Sequence, residues 1–178
     1  MTAPHVEKSL THDDAESPFQ YCPKCAARLG NRYIEQRLRQ ACSECDFIYY
    51  RDPKPVAGTL ALKDGKILLI QRGNEPKHGF WSFPTGYIDI GDTPEETAIR
   101  EAKEESNVDV DLVRLLGVYS DTDRTVVLIV YVGRIVSGVP KGSAEALDAR
   151  LFDIKSLPEL AFDHDYQILE DLFNTLKK

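Results

Sequence analysis

The sequence contains no long apolar run. Its longest apolar segments, such as Val126 to Val132, reach only the length of a β-strand, whereas a membrane-spanning helix needs about 20 consecutive apolar residues. The first eighteen residues are polar and lack the apolar core of a secretory signal peptide. We therefore expect a cytoplasmic protein with no membrane partner, in which residues 1–17 form a flexible tail.

An excess of positive charge is also missing, since the formal net charge is −7. A negative field repels phosphate backbones, so a nucleic-acid partner is not expected for the chain as a whole. One segment has the opposite charge. Between Cys22 and Cys45 there are five basic residues and only two acidic residues, Glu35 and Glu44. These basic residues are Lys24, Arg28, Arg32, Arg37 and Arg39.

Cysteine is scarce, and all four cysteines fall within one short segment with the spacing C-x₂-C-x₁₆-C-x₂-C. Two C-x₂-C turns can aim four thiolates at one point, which suits a closed tetrahedral Zn²⁺ site with no open position for catalysis. A pair of disulfides is the alternative, and a cytosolic location disfavours it. The spacing predicts a structural zinc ribbon over residues 18–52, with Cys22, Cys25, Cys42 and Cys45 as ligands.

From residue 53 to residue 178 the pattern is mixed α/β, and residues 51–55 form a stiff, proline-containing connector before it. Asp64-Gly65 is a strong signal for a two-residue hairpin turn. No internal repeat is present. The predicted strands are 56–62, 66–71, 112–119, 125–132 and 150–154, and the predicted helices are 93–105 and 165–176.

The helix over 93–105 has a well-defined start. Thr93 is a good N-cap, Pro94 occupies the first helical position, and Glu96 completes a capping box. Ala98, Ile99 and Ala102 give the helix a small apolar face that can lie close to a sheet.

Three carboxylates of this helix, Glu101, Glu104 and Glu105, share one face because they are spaced i, i+3 and i+4. They repel one another, and they lie near the helix C-terminus, where the macrodipole disfavours anions. This unfavourable arrangement indicates a bound cation, and hard oxygen ligands suit Mg²⁺ or Mn²⁺. A solvated acidic surface is the alternative that the helix alone leaves open.

The stretch from Gly86 to Val108 resembles the Nudix box, G-x₅-E-x₇-R-E-U-x-E-E-x-G-U, where U is a bulky aliphatic residue. Three positions depart from the pattern: Asp92 replaces the first Glu, Ala102 an aliphatic residue, and Asn107 the second Gly. Asn is the next-best residue for a left-handed C-cap. The matching positions are Gly86, Arg100, Glu101, Glu104, Glu105 and Val108.

The resemblance extends over residues 55–175, since residues 79–86 are similar to the approach strand of the family and residues 68–72 to its preceding core strand. It implies a Nudix α/β/α sandwich with a mixed sheet. A zinc ribbon ahead of such a domain narrows the comparison to the subgroup of NADH, FAD and ADP-ribose pyrophosphatases.

The resemblance also implies a mechanism, in which water attacks one phosphorus of a nucleoside diphosphate linked to another moiety. Glu101, Glu104 and Glu105 would bind Mg²⁺ together with the backbone carbonyl near Gly86, and one of them would activate the water. Arg100 would position this cluster. Asp92 and Glu145 are auxiliary candidates, with a solvated loop as the alternative for Glu145.

The residues after the box exclude some of the possible substrates, because motifs that mark particular enzymes are missing. The segment 115–124 lacks the S-Q-P-W-P-F-P-x-S array of NADH pyrophosphatases, and a proline that marks many ADP-ribose enzymes is also missing. We expect a small-molecule ADP derivative such as FAD or ADP-ribose, cleaved to AMP and a phosphorylated product.

The aromatics Tyr33, Tyr49 and Tyr50 could pack against the catalytic domain or against a second subunit of a homodimer. The second hypothesis is a nucleic-acid-binding or regulatory protein that uses the basic ribbon and has a degenerate Nudix domain.

Overall fold

The computed structural model describes residues 19–121 and 125–176. The predicted tail over residues 1–17 lies outside these ranges. The chain divides between Asp52 and Pro53 into two compact units. The elements are β1 (Leu29–Ile34), β2 (Arg37–Cys42), β3 (Ile48–Tyr49), β4 (Lys54–Lys63), β5 (Lys66–Arg72), β6 (Trp81–Ser82), β7 (Thr85–Tyr87), α1 (Pro94–Ser106), β8 (Val108–Ser120), β9 (Val126–Gly138), β10 (Ala146–Asp153) and α2 (Asp163–Leu176).

The N-terminal unit contains a three-stranded antiparallel sheet in the order β1-β2-β3. Glu35 and Gln36 join β1 to β2, and both have a positive φ, as a two-residue type I′ turn requires. The core of the unit is small, with Cys22, Leu29 and Cys42 buried and Phe47 packed against them. A segment with so little buried apolar surface needs a further stabilising element, such as a metal.

The C-terminal unit is built on a seven-stranded mixed sheet. Its main path is β10-β5-β4-β9-β8, while β6 pairs with β5 and β7 pairs with β4. The central pair β4 and β9 is parallel, with Lys54 opposite Val126. The other pairs are antiparallel.

One helix covers each face of this sheet. Leu60 and Ala61 are adjacent on β4, so their side chains point to opposite faces. Leu60 belongs to the core that contains the buried α2 residues Ile168 and Leu172, and Ala61 belongs to the core that contains Ala102 of α1. The predicted α/β/α arrangement with a mixed sheet is confirmed.

The predicted elements are present, with shifted ends. The turn at Asp64-Gly65 is confirmed, and both residues have a positive φ. Strands β8 and β9 run well beyond the predicted ends, because polar residues such as Asp111 and Arg134 continue the pairing while facing solvent. The short strands β6 and β7 were not predicted, since two or three residues carry no periodic signal. Among the described residues no helix is long and apolar enough to cross a membrane.

Candidate functional site

Helix α1 begins and ends as its sequence predicts. The backbone N–H of Glu96 donates to the Thr93 hydroxyl at 3.2 Å, and the backbone N–H of Thr93 donates to the Glu96 carboxylate at 2.9 Å, which forms the predicted capping box. At the other end, Asn107 adopts the left-handed conformation and donates its N–H to the carbonyl of Lys103. These caps fix the register of the helix, and therefore the direction in which its carboxylates point.

Glu101 lies against the loop that precedes the helix. It is 7% exposed, and its carboxylate fills the space beside Gly86. A Cβ atom at position 86 would stand 2.0 Å from the carboxylate carbon of Glu101, far inside van der Waals contact. Gly86 belongs to β7, which is held on the sheet by Ala57 of β4. At Gly86 no side chain separates the backbone of the sheet from the Glu101 carboxylate.

Glu105 is largely buried and accepts a hydrogen bond of 2.9 Å from the backbone N–H of Thr85. Burial raises the pKa of Glu105 to about 8, although the Thr85 N–H works in the opposite direction. The nearby carboxylates of Glu101 and Glu145 raise this pKa further, and Arg72 lowers it. The charged groups of Glu101, Glu145 and Arg72 therefore all act on the protonation of Glu105.

Arg100 holds the other carboxylates of the cluster. Its guanidinium donates to Glu101 at 2.7 Å and to Glu104 at 3.1 Å, and it forms an ion pair with Asp92 at 3.5 Å. Burial raises the pKa of Glu101, while Arg100 lowers it and Glu104 raises it. Asp92 is thus connected to Glu101 and Glu104 by the guanidinium group that all three contact.

Glu145 reaches the same region from a different part of the chain. Its backbone carbonyl accepts a hydrogen bond of 3.1 Å from the N–H of Gly73, which places the end of β5 beside the start of β10. Its carboxylate raises the pKa of both Glu101 and Glu105. The structure therefore brings Glu145 to the carboxylates of α1.

Two groups of the site were missed in the sequence. Arg72, the last residue of β5, acts electrostatically on Glu105, and the N–H of Thr85 binds the Glu105 carboxylate. The position of Arg72 at the end of a core strand was the available signal, since strand ends commonly supply site residues. A backbone N–H leaves no trace in the residue type, so Thr85 could not have been found.

The carboxylate site suits a hard divalent cation. Glu101, Glu104, Glu105 and Glu145 supply oxygen atoms, and these four carboxylates have two guanidinium groups beside them, those of Arg100 and Arg72. Oxygen ligands with this surplus of negative charge are those that Mg²⁺ and Mn²⁺ prefer. Arg100 holds Glu101 and Glu104 while Glu105 turns to Thr85, so within the described residues these carboxylates do not converge on one point.

The four cysteines do converge. Their Sγ atoms all lie within 4.8 Å of one another, and the closest pairs are Cys25–Cys42 at 3.4 Å and Cys22–Cys45 at 3.6 Å. A tetrahedral zinc site with Zn–S bonds of about 2.3 Å has sulfur–sulfur edges of about 3.8 Å. All four thiols are free rather than paired in disulfides. The donor set and its spacing fit one metal ion.

Comparisons with known proteins identify the family to which this fold and its capped glutamate helix belong. The NUDIX domain family model matches residues 52–172, and the chain belongs to the Nudix family. It is 37% identical to an ADP-ribose pyrophosphatase of Methanocaldococcus jannaschii over 147 residues, which is 80% of this chain and 86% of that protein.

Two further matches agree with this family. An NAD-capped RNA hydrolase of Vibrio atlanticus is 27% identical over 159 residues, which cover 88% of this chain but only 57% of that protein. The crystal structure of a NUDIX hydrolase from Nitrosomonas europaea superposes with a TM-score of 0.79 at 28% identity, covering 85% of this chain and 89% of that one. The chain is a Nudix pyrophosphohydrolase, and the hypothesis of a purely nucleic-acid-binding protein with a degenerate domain is not favoured.

Proposed function

We propose that this protein is a Mg²⁺-dependent pyrophosphohydrolase that cleaves an ADP derivative, such as ADP-ribose or FAD, to AMP and a phosphorylated product. The observation that carries the proposal is the group of carboxylates at α1. Glu101 lies against Gly86, Glu101 and Glu104 share Arg100, and Glu145 acts electrostatically on Glu101 and Glu105. The relatives support the substrate class, since ADP-ribose and an NAD cap both contain an adenosine diphosphate group.

We propose three tasks for the residues of this site: metal binding, positioning and proton transfer. Glu101, Glu104 and Glu105 would hold Mg²⁺, with the carbonyl near Gly86, and Glu145 would add an auxiliary oxygen. When bound, the metal lowers the pKa of coordinated water and neutralises charge on the diphosphate. Arg100 positions Glu101 and Glu104 through its two hydrogen bonds. One glutamate accepts the proton of the attacking water.

We propose further that the cysteine cluster holds one structural Zn²⁺, which makes residues 18–52 a zinc ribbon ahead of the hydrolase domain at 53–178. Four sulfur ligands close the coordination shell, so this metal supplies folding energy rather than catalysis. The small core around Cys22, Leu29 and Cys42 supports this role.

A substrate panel tests the proposed function. We expect kcat/KM with Mg²⁺ to be highest for ADP-ribose or FAD among ADP-ribose, FAD, NADH and an oxidised dGTP. A tenfold preference for NADH or for the triphosphate, which equals about 1.4 kcal/mol of transition-state discrimination, would overturn the proposed substrate. Analysis of the products decides which bond breaks, since AMP must appear with the phosphorylated second half.

A further inference from the structure

Two guanidinium groups lie beside the carboxylates of the site, and the protein holds them in different ways. Arg100 donates to Glu101 at 2.7 Å and to Glu104 at 3.1 Å, so its hydrogen bonds are made within the carboxylate group. Arg72 donates from Nε to the carbonyl of Pro76 at 3.1 Å. Within the part of the chain that the structure describes, its two terminal nitrogens donate to no residue, which leaves them available to a ligand.

The side chain of Arg72 lies on the face of the sheet that α1 covers. Ile70, two residues earlier on β5, belongs to the core that contains Ala102 of α1, and side chains two apart on a strand share a face. The residue after Arg72 donates its N–H to the carbonyl of Glu145 at 3.1 Å. The charge of Arg72 also lowers the pKa of Glu105. These observations place the guanidinium beside the carboxylates.

An aromatic ring restricts this guanidinium. Cζ of Arg72 lies over the ring of Phe162, 5.1 Å from its centroid, and the same ring is stacked on His164 with 17° between the two planes. A cation within about 6 Å of the centroid is attracted by the electrons of the ring face. Phe162 and the Pro76 carbonyl together therefore hold the guanidinium in one orientation.

The backbone on both sides of Phe162 is anchored. Before it, Ala161 donates its N–H to the carbonyl of Trp81 at 2.7 Å, and Trp81 donates to the carbonyl of Glu159 at 3.3 Å. After it, the N–H of Phe162 donates to the carboxylate of Asp165 at 3.3 Å, in the first turn of α2. Because Trp81 belongs to β6, which pairs with β5, the ring and the guanidinium are attached to the same part of the sheet.

A diphosphate brings negative charge to a site that already contains four carboxylates. A guanidinium that makes no hydrogen bond to those carboxylates can donate to the phosphate oxygens, and its planar fork matches two of them at once. Less conformational freedom is lost on binding when the side chain is already held in place.

We propose that Arg72 binds the diphosphate of the substrate and that Phe162 is the positioning residue that holds its guanidinium for this contact. The inference rests on the proposed function and deepens it, because it assigns a residue to the diphosphate itself. The competing role for Arg72 is to balance the charge of the carboxylates without touching the substrate.

Binding of a non-hydrolysable analogue, α,β-methylene ADP-ribose, tests the contact directly by isothermal titration calorimetry in the presence of Mg²⁺. Arg72→Gln should weaken binding about tenfold or more, as expected for loss of a hydrogen bond between charged groups. Arg72→Lys, which keeps the charge but not the fork, should lie between the wild type and the Gln variant. Equal Kd values for the wild type and Arg72→Gln would overturn this inference, and a wild type that does not bind the analogue would contradict the proposed substrate as well.

Steady-state kinetics with the best substrate of the panel separates the two roles of Arg72. The loss in Arg72→Gln should appear chiefly in KM, because the contact is made before the reaction as well as in the transition state. A fall in kcat at constant KM would assign Arg72 to charge balance and would overturn the inference. If the best substrate is no ADP derivative, the proposed substrate is wrong, but the comparison stays valid because every compound of the panel contains a diphosphate linkage.

The role of Phe162 is tested in two backgrounds. Phe162→Leu should lower kcat/KM about threefold in the wild type, the size of a cation–π contact, and should cause no further loss in Arg72→Gln, because Phe162 acts through Arg72. Phe162→Tyr keeps the ring and should retain the activity of the wild type. Equal losses from Phe162→Leu in both backgrounds would show a structural role and overturn the assignment.

Arg150→Gln is the matched control. Arg150 also lies over an aromatic ring, that of Trp81 at 5.8 Å, but it is opposite Leu69, which belongs to the core on the α2 side of the sheet. This variant should bind the analogue and turn over substrate as the wild type does. Thermal unfolding of every variant verifies that it is folded, and a loss in Arg150→Gln equal to that in Arg72→Gln would overturn the inference.

Discussion

The carboxylate of Glu101 lies against the backbone of Gly86, where a Cβ atom would stand 2.0 Å from the carboxylate carbon. We expect Gly86→Ala to displace Glu101 while the sheet and helix stay folded. A misplacement of about 1 Å in a catalytic group can cost about 10²-fold in rate. Steady-state turnover of the best ADP derivative, with thermal unfolding alongside, measures the effect.

Gly30→Ala is the matched control, because no atom lies within 4 Å of a Cβ built at Gly30. It should leave turnover near that of the wild type. Full activity in Gly86→Ala would show that the Glu101 carboxylate can move without consequence, and would remove it from the proposed metal ligands.

Glu105→Gln keeps the shape of the side chain and removes its charge. We expect turnover to fall at least about 10²-fold, as for loss of a residue that binds metal or transfers a proton, with little loss of stability. Relief of the repulsion between Glu101 and Glu105 can even add a few tenths of a kcal/mol to stability. Glu170→Gln, an exposed change on α2, serves as the control, and Mg²⁺-dependent activity at the wild-type level in Glu105→Gln would refute the assignment.

In the absence of Mg²⁺, the stability of the protein should depend on pH through Glu105. Folding raises the pKa of this carboxyl from its ordinary 4.5 to about 8, so the folded state binds the proton more tightly. The resulting stability is present below pH 4.5 and is lost as the pH rises through about 8, at up to about 1.4 kcal/mol per unit. Denaturant unfolding in EDTA should show this decline in the wild type relative to Glu105→Gln, and parallel pH curves would contradict it.

Cys42→Ser should remove one zinc ligand from the interior of the ribbon, where Cys42 is 1% exposed. We expect the purified wild type to contain about one zinc ion per chain, resistant to mild EDTA, and the variant to lose most of it. Hydrogen exchange should increase over residues 21–50, while β4 and β9 keep their protection. Freshly prepared, reduced wild-type protein without zinc would disprove the metal assignment.

The sequence predicted those parts of the site that depend only on residues close together in the chain. Thr93 and Asn107 flank the helix and Glu96 lies in its first turn, so these caps are encoded locally. The spacing of Glu101, Glu104 and Glu105 likewise fixes their common face. The remainder depends on contacts between distant parts of the chain. Glu145 was a candidate only through the family resemblance, because the hydrogen bond between its carbonyl and the Gly73 N–H, which holds it near the α1 carboxylates, is encoded by no local pattern.

The ends of strands were predicted poorly for a related reason. Asp109 and Asp111 look like the end of an apolar pattern, although both lie within β8. β8 is an edge strand of the sheet, so its polar residues face solvent without cost. Only the position of a strand in the sheet, which the sequence does not state, tells whether its polar residues end it.

The parallel pairing of β4 with β9 determines the order in which a nascent chain can fold. The pairing of the ribbon is complete by Tyr49, so this unit can bind zinc and fold early in synthesis, as N-terminal units generally do. Lys54 of β4 cannot pair with β9 until Val126, seventy-two positions later, has been synthesised. Until the ribosome has produced β9, the strand at the centre of the hydrolase domain has one open edge, the kind of surface that promotes aggregation during folding.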